Sequence, residues 1–175
     1  MTISVSEAAH ILEERGALGR RRKNQADWVV GYVANMIGRP LPGDLDEFYR
    51  ENIDWVGDFG TAIPVWSDYV GRVTDDGAVD RLLQANAVPL FWDGCGSLYG
   101  VDVSQATDHP AVYFFDHEKG WEKPTYAAGS SIGVFLLLLA EHDAAIDEKR
   151  PPGWELAVDP DLGKCPRAPP IWLAD

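Results

Sequence analysis

The chain has 175 residues, the length of one domain, and its 46% hydrophobic and 11% aromatic content, with seven Trp, excludes a disordered polymer. A formal net charge of -13 at pH 7 disfavours nucleic acid and anionic lipid as direct ligands, because both repel such a body at long range. Two cysteines seventy positions apart, Cys95 and Cys165, are too few for a disulfide framework and match no metal-ligand spacing, so a reducing, cytoplasmic setting is expected.

In chain order, "SEAAHILEERGALG" offers Ser6 as an N-cap and a loose apolar face of Ala9, Leu12 and Leu18, which predicts a short helix ending near Gly16 or Gly19. The basic cluster Arg20 to Lys23 follows, either an interaction arm or a solvated linker. "QADWVVGYVANMIG" places Trp28, Tyr32 and Met36 four apart with Val29 and Val33 beside them, a helix that buries one side and closes at Gly38. No continuous apolar run follows a basic start at the N-terminus, so no secretory signal is expected.

Pro40 and Pro42 then break the chain, and Leu41, Leu45, Phe48 and Tyr49 form one stripe of a new helix whose outer face carries Asp46, Glu47, Arg50 and Glu51. Residues 41 to 80 hold ten acids against two bases, a net charge of -8. Within them "GDFGTAIPVWSDYVG" reads as a short edge strand broken by Pro64, and "DDGAVDRLLQANA" as a short helix. "VPLFW" and "SLYGVDVS" are strand-like runs joined by Asp93-Gly94-Cys95-Gly96, a hairpin with a glycine-containing loop. A third strand is expected in "HPAVYFFDHE", a loop in "GWEKPTYAAGS", and a buried helix from about Ser130 to Ala145; its apolar run Ile132 to Ala140 is far short of the ~20 residues of a membrane span. The C-terminal stretch holds six of the twelve prolines and is expected to be extended, packed back through Trp154, Leu156, Ile171 and Trp172.

The order "PLPGDLDEFYREN", "VPLFWDGCGSLYGVDVS", "PAVYFFDHE" and "SSIGVFLLLLAEHD" resembles the SUKH superfamily of Smi/Knr-like proteins over roughly residues 40 to 145. The resemblance implies an α+β fold, a mainly antiparallel sheet flanked by helices, in a single SUKH-like domain. It divides the chain into an N-terminal helical extension (1–39), a SUKH-like core (40–148) and a proline-rich tail (149–175) packed on it. It implies no catalysis: bacterial members look like immunity proteins that neutralise toxins, often nucleases, and fungal relatives like regulatory scaffolds.

Chemistry alone points the same way, since a carboxylate-rich face can occupy the basic site of a nuclease in place of phosphates and gains steered association. The candidate partner-binding residues are Asp44, Asp46, Glu47, Glu51, Asp54, Trp55, Asp58, Trp66 and Asp68, where aromatics interleave with acids. The expected partner is a protein with a basic surface, with no cofactor, no metal, no membrane and no catalytic residue. A regulatory or scaffold role without a toxin is the second reading, and a small hydrolase built on Cys95 or a His/acid site the third. Cys95 has no His near it in sequence, though His109 or His117 can approach in space. Asp108, His109, Asp116, His117 and Glu118 are mixed metal-ligand types without HExxH or paired-Cys spacing, and Glu118 with Glu122 would be a glycosidase-like pair of surface acids. "GDFG" and "DGCG" lack the lysine of a phosphate-binding loop.

Overall fold

The computed structural model describes residues 3–20, 26–56, 61–62, 77–144 and 150–171. The elements are α1 (Val5–Glu14), β1 (Leu18–Arg20), α2 (Ala26–Ile37), α3 (Gly43–Glu51), β2 (Ile53–Val56), β3 (Thr61–Ala62), α4 (Ala78–Gln84), β4 (Ala87–Trp92), β5 (Leu98–Asp102), β6 (Val112–Phe115), β7 (Tyr126–Gly129), α5 (Ile132–Asp143) and α6 (Glu155–Val158), followed by a 3-10 turn at Leu162–Lys164. The strands form one antiparallel sheet in sequence order, β1 to β7. The fold class is α+β, as the sequence predicts.

The sheet separates two apolar layers because its side chains alternate between faces. Val88, Tyr99, Val101 and Val112 enter the larger core with α1, α2, α3 and α5. Their neighbours Ala87, Leu98, Tyr113 and Phe115 enter a smaller core beneath α4, Trp121 and Leu162. Leu90 and Phe91 both fall on the larger side, where the β4–β5 register shifts between Pro89 and Phe91. A bulge there tolerates a proline that donates no ladder bond. Gly100 lacks a side chain for a packing reason: a Cβ there would lie 3.0 Å from the Phe115 ring.

α5 is apolar on nearly every side and therefore needs cover all round. The sheet supplies one wall and α1 another, with Val5, Ala8, Ala9 and Leu12 in the same core as Ile132, Phe135, Leu136 and Leu139. Residues 1–39, set apart in sequence as an extension, thus contribute a helix and an edge strand to the central body. The N-cap of α1 is Ser4, not Ser6: the Ser4 hydroxyl accepts the Glu7 N–H, and the Glu7 carboxylate accepts the Ser4 N–H, a reciprocal capping box. The loop expected before α5 contains β7, and Ser131 caps α5 by accepting the Val134 N–H.

The tail departs from the extended path expected of it. Its prolines lie outside the stretches that turn helical, Glu155–Val158 and Leu162–Lys164. It packs back chiefly through fully buried Leu162, whereas Leu156 and Ile171 are exposed and Trp172 lies outside the described residues. Buried Asp159 accepts both the backbone N–H and the hydroxyl of Ser130, each at 2.7 Å. The Ala127 N–H donates to Pro169 O at 2.7 Å, so the tail covers the outer edge of β7. Arg167 reaches Asp102 at 3.2 Å and Ala85 O at 2.8 Å. Among the described residues no helix is long and apolar enough to cross a membrane.

Two glycines give opposite expectations. A Cβ on Gly133 of α5 would lie 2.3 Å from the Ile3 carbonyl oxygen and 2.9 Å from that of Ser4, backbone that moves only with α1, whereas Gly31 of α2 meets nothing within 4 Å. Gly133→Ala is expected to cost at least about 2 kcal/mol in urea unfolding, and Gly31→Ala to add up to about 1 kcal/mol. Equal effects of the two would contradict the α1–α5 approach.

Candidate functional site

The acidic helix α3 is built into the fold more than it faces solvent. Asp44, in its first turn, is only 3% exposed and bonds His109 Nδ1 at 2.8 Å. Its backbone N–H donates to Asp108 O, which clamps the loop before β6 onto α3. Burial pushes the Asp44 carboxyl above its ordinary pKa, and the contacts with His109 and the Ile132 N–H pull only partly back.

Glu47 accepts the backbone N–H groups of Val5 at 3.0 Å and Ser6 at 3.2 Å. These are two of the unpaired donors at the start of α1, so a carboxylate from another helix completes the cap. Glu51 lies 2.8 Å from the Ser6 hydroxyl and 3.2 Å from Arg20 Nη1. Asp46 pairs with Arg50 at 2.6 Å, and Arg50 also reaches Asp27 of α2 at 2.9 Å. Of the nine candidate partner-binding residues, Asp44 is therefore buried, Glu47 and Glu51 act between elements, and Asp46 is paired at the surface. Asp54 and Trp55 sit on β2. Asp58, Trp66 and Asp68 lie outside the described residues.

The Asp-Gly-Cys-Gly segment is the turn of the β4–β5 hairpin. Asp93 Oδ1 accepts the N–H groups of Cys95 at 2.8 Å and Ser97 at 3.0 Å, while Gly94 and Gly96 take φ of 84° and 109°. Both glycines are in the left-handed region that the loop demands. Cys95 is exposed. His117 does approach this turn, but its Nδ1 bonds the buried Ser97 hydroxyl at 3.0 Å and its ring lies against Gly96. The other thiol, Cys165, is pushed up to about 11 by burial and by Asp159, Asp161 and Asp102, so it stays protonated at neutral pH. Among the described residues no cluster of His, Cys, Asp and Glu is arranged to hold a metal.

The feature the sequence reading missed is on α2. The helix buries Ala26, Val29 and Val33, and its aromatic pair faces out: Trp28 is 53% and Tyr32 40% exposed, with rings stacked 5.2 Å apart. Both stripes have spacing four, so periodicity alone does not choose between them. The distinguishing signal is continuity, since Ala26, Val29, Val33 and Ile37 run unbroken at steps of three and four, whereas Gly31 and Asn35 interrupt the aromatic side. Asp27 and the Asp46–Arg50 pair lie next to this aromatic stripe.

The chain matches no protein-family model, and no curated protein or solved structure aligns with it significantly.

Two outcomes follow from this geometry. Asp93→Ala leaves two N–H groups of the turn without their acceptor and is expected to cost about 1 to 2 kcal/mol in thermal unfolding, against a change within about 0.5 kcal/mol for exposed Cys95→Ala. For Asp44 the folded pKa lies above the unfolded one, so its neutral form favours folding and stability falls as pH rises through the folded value. Asp44→Asn stays neutral, and its stability relative to the wild type is expected to climb with pH across that window in urea titrations. A flat difference would show that the carboxyl is not held by burial.

Proposed function

We propose that this protein is a non-catalytic binding domain whose partner is a protein with a basic surface, and that it works as an immunity protein neutralising a toxin, as the resemblance to SUKH proteins implies. The observation that carries this reading is the exposed, stacked Trp28–Tyr32 pair on α2, set in a chain of net charge -13. Large aromatics are the residue types that anchor protein interfaces, because each removes much area from water at little cost in rotamer entropy. Mutual stacking also limits the freedom lost on binding. The surrounding negative potential steers a basic partner toward the patch and raises the association rate at low salt. In this reading α2 supplies affinity, the acids supply attraction and selectivity, and the protein acts in the cytoplasm.

Co-expression with the product of the adjacent gene tests this reading. The pair is expected to co-purify and the toxicity of that product to fall. Trp28→Ala with Tyr32→Ala is expected to weaken the complex by at least about 2 kcal/mol, roughly thirtyfold, with unchanged melting because both rings are exposed. A neighbour that neither co-purifies nor loses toxicity ends the immunity reading, and a complex indifferent to the double substitution removes α2 from the interface.

A further inference from the structure

A second site lies on the far side of α5 from α1, independent of the α2 surface. An open cleft of about 410 Å³, its mouth included, runs between α5, β7 and the tail. That is within the size range of small-molecule sites. Phe135 and Leu139 of α5, Leu162 of the 3-10 turn and the ring of Trp154 make it apolar. Tyr99 and Tyr126 add their hydroxyls, 3.3 Å apart. Burial pushes the Tyr126 hydroxyl up to about 12, so it remains a neutral hydrogen-bonding group.

One polar group in this lining is out of balance. Glu155 Oε2 is buried with no hydrogen-bond partner. A carboxylate oxygen withdrawn from water into an apolar wall is costly unless a donor reaches it. The neighbouring cation does not serve it, since Arg150 is held by Glu141, donating to its carbonyl at 2.8 Å, and lies over the Trp154 ring. A ligand that brings an N–H donor and positive charge to Glu155, and an apolar body to the aromatic walls, satisfies both halves of the cleft.

We propose that the cleft between α5, β7 and the tail binds a small primary ammonium with an aromatic or branched apolar body, its charge on Glu155 and its body against Trp154 and Phe135. The apolar majority of the lining selects against fully hydrated cations, which lose too much solvation for one carboxylate to restore. The single acid selects against anions and zwitterions.

Phenethylammonium is the probe, and phenethyl alcohol, equal in shape but uncharged, is its control. In proton–nitrogen correlation spectra of the full chain, the Trp154 indole signal is expected to shift saturably with phenethylammonium, with an affinity at least about tenfold above that of the alcohol. Glu155→Gln keeps the size and polarity of the side chain and is expected to bring the ammonium down to the level of the alcohol. Equal binding of the two probes by the wild type overturns the proposal, as does the absence of a saturable shift. An ammonium preference that survives Glu155→Gln moves the charge recognition elsewhere and also overturns it. If an acetylated, amidated lysine binds as well as phenethylammonium, the occupant is a polypeptide side chain and the small-molecule class is wrong. None of these outcomes depends on the adjacent gene product, so this site and the α2 interface stand or fall separately.

Discussion

The structure depends on the burial of α5, a helix with almost no polar face. Such a helix cannot rest on the sheet with one side in water, because the exposed apolar area would forfeit roughly 25 cal/mol for each Å² left uncovered. α1 closes the open side, and it comes close enough that Gly133 lies directly under the carbonyls of Ile3 and Ser4. This approach places the start of α1 beside α3. Its unpaired N–H groups then need acceptors, which Ser4 supplies locally and Glu47 from across the interface.

The consequence reaches function. Carboxylates that look like a solvated, partner-seeking face in the sequence are in part committed to internal work. Glu47 caps a helix, Glu51 joins Ser6 and Arg20, and Asp44 anchors the loop that carries His109. What α3 leaves at the surface is the Asp46–Arg50–Asp27 chain, which links it to α2. Because α2 buries its valine stripe, the aromatic pair is turned outward. The docking surface proposed for the protein is thus a by-product of how three helices share one core.

The hairpin and the tail show the same economy in polar groups. One Asp93 oxygen organises the β4–β5 turn by taking two backbone donors, and Asp159 fixes the tail by taking two donors from Ser130. Both thiols stand apart from this network as reactive groups: Cys95 is at the exposed tip of a turn, and Cys165 is held protonated by burial among acids. Glu155 is the contrasting case, a carboxylate oxygen the fold leaves unanswered at the wall of an apolar cleft.

The sequence by itself determined the α+β class, the helices α2, α3 and α5, and the β4–β5 hairpin, because these rest on local physics: apolar period, glycine conformation and proline exclusion. It also determined the acidic balance and with it the kind of partner the chain can approach. It did not determine β7, where "TYAAG" is too small and too weakly alternating to outcompete a loop until β6 and the tail pair with it. Nor did it decide which of two equally spaced stripes of α2 faces inward, which carboxylates are spent inside, or that α1 belongs to the core. Those outcomes depend on contacts between residues tens of positions apart, such as Glu47 with Val5 or Arg167 with Asp102, whose energies exist only once the helices and the sheet have closed around α5.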